Sequence, residues 1–217
     1  TGGPGTGKTT TLSSILRAHE LHFGYKTTKT KKPIMLLAPT GKAATRMMDQ
    51  TGRYASTIHR QFLLTHSGSR DIQYVLNQLK DNDTRLIVID EASMLDTSIA
   101  GAIFDIILQS KQPLKLILVG DDDQLPSIGP GQILTDLLTH HQGVVRLTEV
   151  KRQTGASNIP EFAKMIREGN FPEKEWFKDK DDIYLIEPES DVDMIKKLRL
   201  MLSRRKQNYK DLDDFQI

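Results

Sequence analysis

Hydrophobic positions along the chain fall into short continuous runs separated by stretches with helical spacing. Ile34-Met35-Leu36-Leu37-Ala38, Leu86-Ile87-Val88-Ile89 and Leu116-Ile117-Leu118-Val119 are apolar throughout. Runs of this length, without polar alternation, predict strands buried on both faces. Between them, Leu12, Ile15, Leu16 and His19 share one helical stripe, and Ile99, Ile103, Ile106 and Ile107 share another. Ile159, Phe162, Ala163 and Ile166 form a third stripe, closed by Gly169 as a helix cap. Strands alternating with helices predict an α/β fold, a parallel sheet covered by helices on both faces. The pattern restarts near the C-terminus. Ile183–Ile186 reads as a strand, Val192, Ile195, Leu198 and Leu202 as a helix stripe, and Phe215–Ile217 as a further strand. The expected organisation is a first domain over 1–170, a charged linker over 171–182, and the start of a second domain over 183–217.

Composition changes this picture little. The 217 residues can bury one substantial core, or one domain and part of another. A 37% hydrophobic and 27% charged chain is globular in type. No apolar run approaches the roughly 20 residues of a membrane span, so no membrane partner is expected. The absence of cysteine excludes disulfides and thiolate metal sites and is compatible with a reducing cytoplasm. A net charge of +2 is too small to argue for nucleic acid by itself.

The candidate chemistry changes it more. Gly2-Gly3-Pro4-Gly5-Thr6-Gly7-Lys8-Thr9 matches the phosphate-loop pattern G-x-x-x-x-G-K-[ST]. Glycines let backbone N–H groups wrap a polyphosphate without Cβ clashes. The helix that follows turns its positive end toward the same anion. Gly3, Pro4, Gly5, Thr6, Gly7, Lys8, Thr9 and Thr10 are therefore the expected ATP-binding residues, with Lys8 reaching the β- and γ-phosphates and the Thr9 hydroxyl on Mg²⁺. The strand at Leu86–Ile89 ends in Asp90-Glu91, where open α/β sheets bind ligands. Asp90 suits Mg²⁺ and Glu91 suits activation of an attacking water, although two acids before Ala92 also suit a helix N-terminus. Leu116–Val119 leads into Gly120-Asp121-Asp122-Asp123-Gln124. The neutral amide of Gln124 can contact a γ-phosphate without abstracting a proton, while the three aspartates also fit a solvated turn or a Ca²⁺ site lacking the EF-hand glycine.

These motifs stand in helicase order. With Ala38-Pro39-Thr40-Gly41-Lys42-Ala43-Ala44, Asp90-Glu91-Ala92-Ser93-Met94 and Leu147-Thr148-Glu149-Val150-Lys151-Arg152-Gln153, the chain resembles the superfamily-one DNA helicases. Pro126-Ser127-Ile128-Gly129-Pro130-Gly131-Gln132 resembles the RecD and conjugative-relaxase branch. The resemblance implies a RecA-like P-loop NTPase domain, the opening of a second one, and an ATP-dependent DNA helicase moving 5′ to 3′. It implies Gln124 as γ-phosphate sensor and Arg152 as arginine finger, beside Lys8, Asp90 and Glu91 as catalytic residues. Pro39, Thr40, Gly41 and Lys42 inherit a single-stranded DNA contact, as do Thr57 and His59, although a histidine there also suits packing. Nuclease or other recombination subunits are implied partners. An RNA-directed motor and a non-motor nucleotide-binding module remain the alternatives. The family inserts a small hairpin where 66–83 falls. The sequence carries no clear hairpin signal there, and Tyr74, Val75, Leu76 and Leu79 fit a short helix equally.

The remaining features carry less. Lys26, Lys29, Lys31 and Lys32 fit a solvated loop better than a DNA contact. His19 and His22 have metal-like spacing without a third ligand. A phosphate loop ordinarily follows a buried strand, yet Thr1 stands directly on it. A chain truncated at both ends is therefore expected, one that binds nucleotide, hydrolyses it poorly and does not unwind DNA alone.

Overall fold

The computed structural model describes residues 1–24, 31–63, 71–140, 142–149 and 157–205. Backbone contacts divide the chain into two compact units, Thr1–Gln153 and Thr154–Ile217.

The first unit is built on the three predicted apolar runs. They form β1 (Ile34–Ala38), β3 (Leu86–Ile89) and β4 (Lys115–Leu118), joined at one edge by the short β2 (Ala55–Thr57) in the order β2-β1-β3-β4. All neighbouring pairs are parallel, with Ile34 opposite Leu86 and Leu86 opposite Lys115. Side chains alternate across the pleat and so separate into two cores. Met35, Leu37, Ile87 and Ile89 pack with Phe62, Val75, Leu79, Ile103 and Ile106 on one face. Leu36, Ala38, Leu86 and Val88 pack with Leu12, Leu16, Ala44 and Met47 on the other. The first core is covered by α3 (Ile58–Gln61), α4 (Ile72–Asp81) and α5 (Thr97–Gln109), the second by α1 (Lys8–Phe23) and α2 (Gly41–Thr51). The α/β sheet covered on both faces is thus the observed architecture.

Within 66–83, the described residues form α4 rather than a hairpin. Asp71 caps it by accepting from the Tyr74 N–H at 2.9 Å, and Val75 and Leu79 are buried. Residues 66–70 lie outside the described residues.

The phosphate loop enters the sheet beyond β4. The Gly2 N–H donates to the Gly120 carbonyl at 3.3 Å, and the Leu147 N–H donates to the Thr1 carbonyl at 2.8 Å. Gly2 bridges Leu147 in parallel sense. Thr1 and Gly2 therefore run between β4 and the segment ending at Leu147. Behind them, β4 is half-buried where β1 and β3 are buried. An apolar groove of about 350 Å³ lies alongside, lined by Leu116, Leu118, Leu134, Leu137 and Val145 among others.

The second unit holds α7 (Ile159–Arg167), a 3₁₀ turn at Lys174–Phe177 and α8 (Asp191–Arg205); α6 (Ile133–His140) belongs to the first. The left-handed Gly169 follows α7, as predicted. Residues 171–177 fold back on α7. Phe162 stacks on Trp176 at 5.6 Å between ring centres and meets Phe171 and Phe177 edge-on. Asp182 accepts hydrogen bonds from the Ser157 hydroxyl and from both the backbone and side-chain N–H of Asn158. The stretch read as a linker therefore belongs to a compact unit that begins before α7. Ile183–Ile186 is not a strand. An apolar run becomes one only by pairing its backbone, and no described segment pairs with it. The expected strand at Phe215–Ile217 lies outside the described residues. The helix predicted from Val192, Ile195 and Leu198 is present as α8, with those three side chains exposed.

Leu37 is fully buried at the centre of the larger core. Truncation there removes packing that the sheet cannot collapse to replace. Leu37→Ala is expected to cost about 2–5 kcal/mol in urea-induced unfolding, whereas Leu108→Ala, at an exposed position, leaves the midpoint nearly unchanged.

Candidate functional site

The C-terminal ends of the parallel strands converge on a cavity of about 520 Å³. It is lined by Gly3, Pro4, Gly5, Gly7, Lys8, Thr9 and Thr10 from the loop and α1, by Asp90 and Glu91 after β3, and by Gln124 after β4. Residues separated by more than a hundred positions thus share one wall because three parallel strands end at the same level.

The loop is shaped by its glycines. A Cβ on Gly2 would stand 2.6 Å from the Leu147 carbonyl oxygen and 2.8 Å from the Thr6 hydroxyl, so only glycine fits. Gly7, at φ +86°, occupies the left-handed region and starts α1. Thr6 is buried, its hydroxyl donating to the Gly3 carbonyl at 2.8 Å. The Lys8 ammonium donates to the Gly2 and Gly3 carbonyls, the second at 3.1 Å, and lies 3.8 Å from the Asp121 carboxylate. Lys8 is therefore folded into its own loop, on contacts that an anion in the loop can replace.

Asp90 follows β3, its N–H bonded to the Leu37 carbonyl at 3.0 Å and its carboxylate accepting from the Glu91 N–H at 2.9 Å. Glu91 has φ +54°, a backbone conformation uncommon for a non-glycine residue and characteristic of functional turns. Burial pushes the Asp90 carboxyl up, opposed by the Glu91 N–H and by the charges of Lys8 and Arg46. Burial, and then the neighbouring Asp90, push the Glu91 carboxyl up, with Arg46 and Lys8 opposing. The charge of this pair is thus unfavourable in the isolated site and is relieved by cations.

The three consecutive aspartates diverge. Asp121 is buried, faces Lys8, and accepts from the Asp123 N–H at 3.2 Å and the Gln124 amide at 3.4 Å. Asp122 accepts from the Thr1 hydroxyl at 2.7 Å and from Arg146 at 2.6 Å. Burial works against the Asp122 charge, but these two donors outweigh it and hold the carboxyl below its usual range. Among the described residues no cluster of three or more His, Cys, Asp or Glu side chains is placed to hold a metal. Thr9 and Asp90, the residues expected at Mg²⁺, both line the cavity, and their hydroxyl and carboxylate oxygens could hold a hard cation.

Pro39 and Thr40 join β1 to α2, whose first residues are Gly41 and Lys42. Thr40 caps α2 through its hydroxyl, which accepts from the Ala43 N–H at 3.2 Å. Thr57 pairs across from Ala38 and caps α3 in the same way, accepting from the Arg60 N–H at 3.2 Å. His59 is exposed, while its neighbour Ile58 supplies the buried contact, so the packing role falls to Ile58. Arg152 lies outside the described residues.

The sequence reading missed Ala43, Arg46 and Gln50, which bring one face of α2 into the cavity along with Ser13 of α1. Their spacing of i, i+3 and i+7 is the available signal. It is uninformative until one knows which face of α2 meets the loop.

A family profile described as AAA domain matches residues 1–188. The chain is 35% identical to an ATP-dependent RecD2 DNA helicase of Deinococcus radiodurans over 79% of its own length and 22% of the relative's. It is 35% identical to the RecBCD enzyme subunit RecD of Mycolicibacterium smegmatis over 78% of its own length and 32% of the relative's. The chain therefore spans less than a third of these relatives. Unliganded Pif1 from a Bacteroides species superposes with a TM-score of 0.51 and 23% identity, over 91% of this chain and 50% of that one. That likeness concerns the fold. No helix among the described residues is long and apolar enough to cross a membrane.

A carboxyl whose folded pKa is raised contributes stability that is present at low pH and lost as pH rises through the raised value. Glu91→Gln removes this loss. The variant is expected to melt above the unsubstituted chain at pH 7 without nucleotide, the gap closing as pH falls toward about 4. A gap that stays constant with pH in calorimetry contradicts the assignment.

Proposed function

The chain belongs to the AAA domain family and its core is that of a RecD-like superfamily-one helicase ATPase; from this premise we propose that it binds Mg-ATP and single-stranded DNA as part of a DNA motor. The observation that carries the reading is the convergence of Lys8, Asp90, Glu91 and Gln124 on one cavity at the strand ends. The loop N–H groups and Lys8 bind the phosphates. Thr9 and Asp90 hold Mg²⁺, which when bound neutralises charge on the phosphoryl oxygens. Glu91, half-buried and crowded by Asp90, suits removal of a proton from an attacking water. Gln124 contacts the terminal phosphate, and Arg152 supplies a second cation there.

Single-stranded DNA lies along the neighbouring strand ends, on Pro39–Lys42, Thr57 and His59. Hydroxyl, backbone N–H and ammonium groups grip phosphates without reading bases. The α2 helix carries Thr40, Gly41 and Lys42 at its start and Arg46 and Gln50 in the nucleotide cavity, so one rigid element touches both ligands. In the whole protein, closure and reopening of the ATP cleft steps the motor 5′ to 3′ in the cytoplasm, alongside nuclease or other recombination subunits.

The test is ATP hydrolysis and nucleotide binding with single-stranded DNA, with RNA, and with neither. Expected is Lys8-dependent binding of Mg-ATP that strengthens DNA affinity. Lys8→Ala removes charged hydrogen bonds and weakens Mg-ATP binding by roughly 10- to 150-fold. Equal response to RNA and DNA favours an RNA motor, and indifference to both favours a non-motor module.

Lys42→Ala is expected to weaken DNA binding across all sequences and to lower the slope of log affinity against log salt by about 0.7. Fluorescence anisotropy of a labelled oligothymidine at several salt concentrations reads both. An unchanged slope removes Lys42 from the interface.

A further inference from the structure

Ser93 sits in the 3₁₀ turn Ala92–Met94 that follows the two acidic residues. The turn is pressed against the end of β4. The Ala92 N–H donates to the Val119 carbonyl at 2.9 Å, and a Cβ on Gly120 would lie 3.2 Å from the Ser93 nitrogen. The side chain is more than nine-tenths buried, with a relative exposure of 9%. Its hydroxyl has no hydrogen-bond partner among the described residues. A buried hydroxyl without a partner is costly and calls for a reason.

Ser93 belongs to the wall of a second, smaller cavity of about 110 Å³, lined also by Asp122, Gln124, Gln132, Leu134 and Thr135. Gln124 is the one described residue shared by this cavity and the nucleotide cavity. Its present hold is weak: the amide nitrogen meets Asp121 at 3.4 Å, at the long end of the hydrogen-bond range, and the residue is exposed. The same Asp121 carboxylate lies 3.8 Å from Lys8, so a triphosphate that draws Lys8 away alters what holds Gln124.

A glutamine amide has two unlike ends. Only its NH₂ attracts a phosphate, and its carbonyl oxygen repels one. Something behind the amide must therefore fix which end faces the anion. We propose that Ser93 is the positioning residue for Gln124, its hydroxyl donating to the Gln124 carbonyl oxygen so that the NH₂ is presented to the terminal phosphate of bound ATP. This rests on the reading of Gln124 as the terminal-phosphate contact. It gives the buried, unpartnered hydroxyl a partner, the Gln124 carbonyl oxygen.

The experiment compares the affinity ratio of a non-hydrolysable Mg-ATP analogue to Mg-ADP in the full chain and in Ser93→Ala, Ser93→Thr, Gln124→Ala and the Ser93→Ala/Gln124→Ala double variant, with thermal melting of each. Ser93→Ala is expected to lower the ratio roughly two- to tenfold while melting no lower than the unsubstituted chain. Ser93→Thr, which keeps the hydroxyl, retains the ratio. The double variant loses no more than Gln124→Ala alone, since Ser93 acts only through that amide. A ratio unchanged in Ser93→Ala, or losses that add in the double variant, overturns the proposal while leaving Gln124 its role. A ratio unchanged in Gln124→Ala overturns the reading of Gln124 itself, and the Ser93 proposal with it.

Discussion

Parallel backbone pairing of β1, β3 and β4 is the constraint on which the site depends. Such pairing keeps the strands in fixed register, with Leu37 opposite Ile89 and Ile89 opposite Leu118. It also sends every chain exit to the same edge of the sheet. The residues that follow each strand are therefore neighbours: Pro39 and Thr40 after β1, Asp90 and Glu91 after β3, Val119 to Asp121 after β4. The ladder persists because β1 and β3 are covered on both faces by separate cores. Without that cover its backbone would compete with water for the same hydrogen bonds.

Charge at this edge suits a negative ligand that brings a cation with it. Asp90 and Glu91 are pushed toward neutrality by burial, and Lys8 rests on two carbonyls of its own loop beside buried Asp121. Each of these contacts is one that a magnesium polyphosphate would exchange for a stronger one. The α2 helix reaches the same cavity, since behind a start capped by Thr40 its Ala43, Arg46 and Gln50 face lines the wall.

The second unit follows a different logic. Its aromatic cluster of Phe162, Phe171, Trp176 and Phe177, with Asp182 bound to Ser157 and Asn158, ties α7 to residues that by composition alone read as a linker. Pro172 and the surrounding charges suggest a break only if each residue is weighed locally. Aromatic side chains nine to fifteen positions beyond Phe162 supply apolar area that folds the segment back.

Local physics made much of the first unit legible in advance. Continuous apolar runs predicted the strands β1 and β3, because a strand buried on both faces is apolar at every position. The glycines and Lys8 of the loop determine a phosphate site, because backbone N–H groups can wrap an anion only where Cβ atoms are missing. The acids at the end of β3 and the amide after β4 were readable for the same reason, as polar groups ending an apolar strand. What depended on long-range packing was not readable. Ile183–Ile186 has the composition of a strand, but a strand exists only with a partner. The face of α2 that brings Arg46 into the cavity with Glu91 is set by how α2 packs on β1, β2 and α1, and the burial of Ser93 by how its turn meets Gly120. Sequence alone determined which residues could do chemistry here; tertiary structure decided which of them share a cavity, because proximity across the sheet comes from register and packing and leaves no periodic trace in the chain.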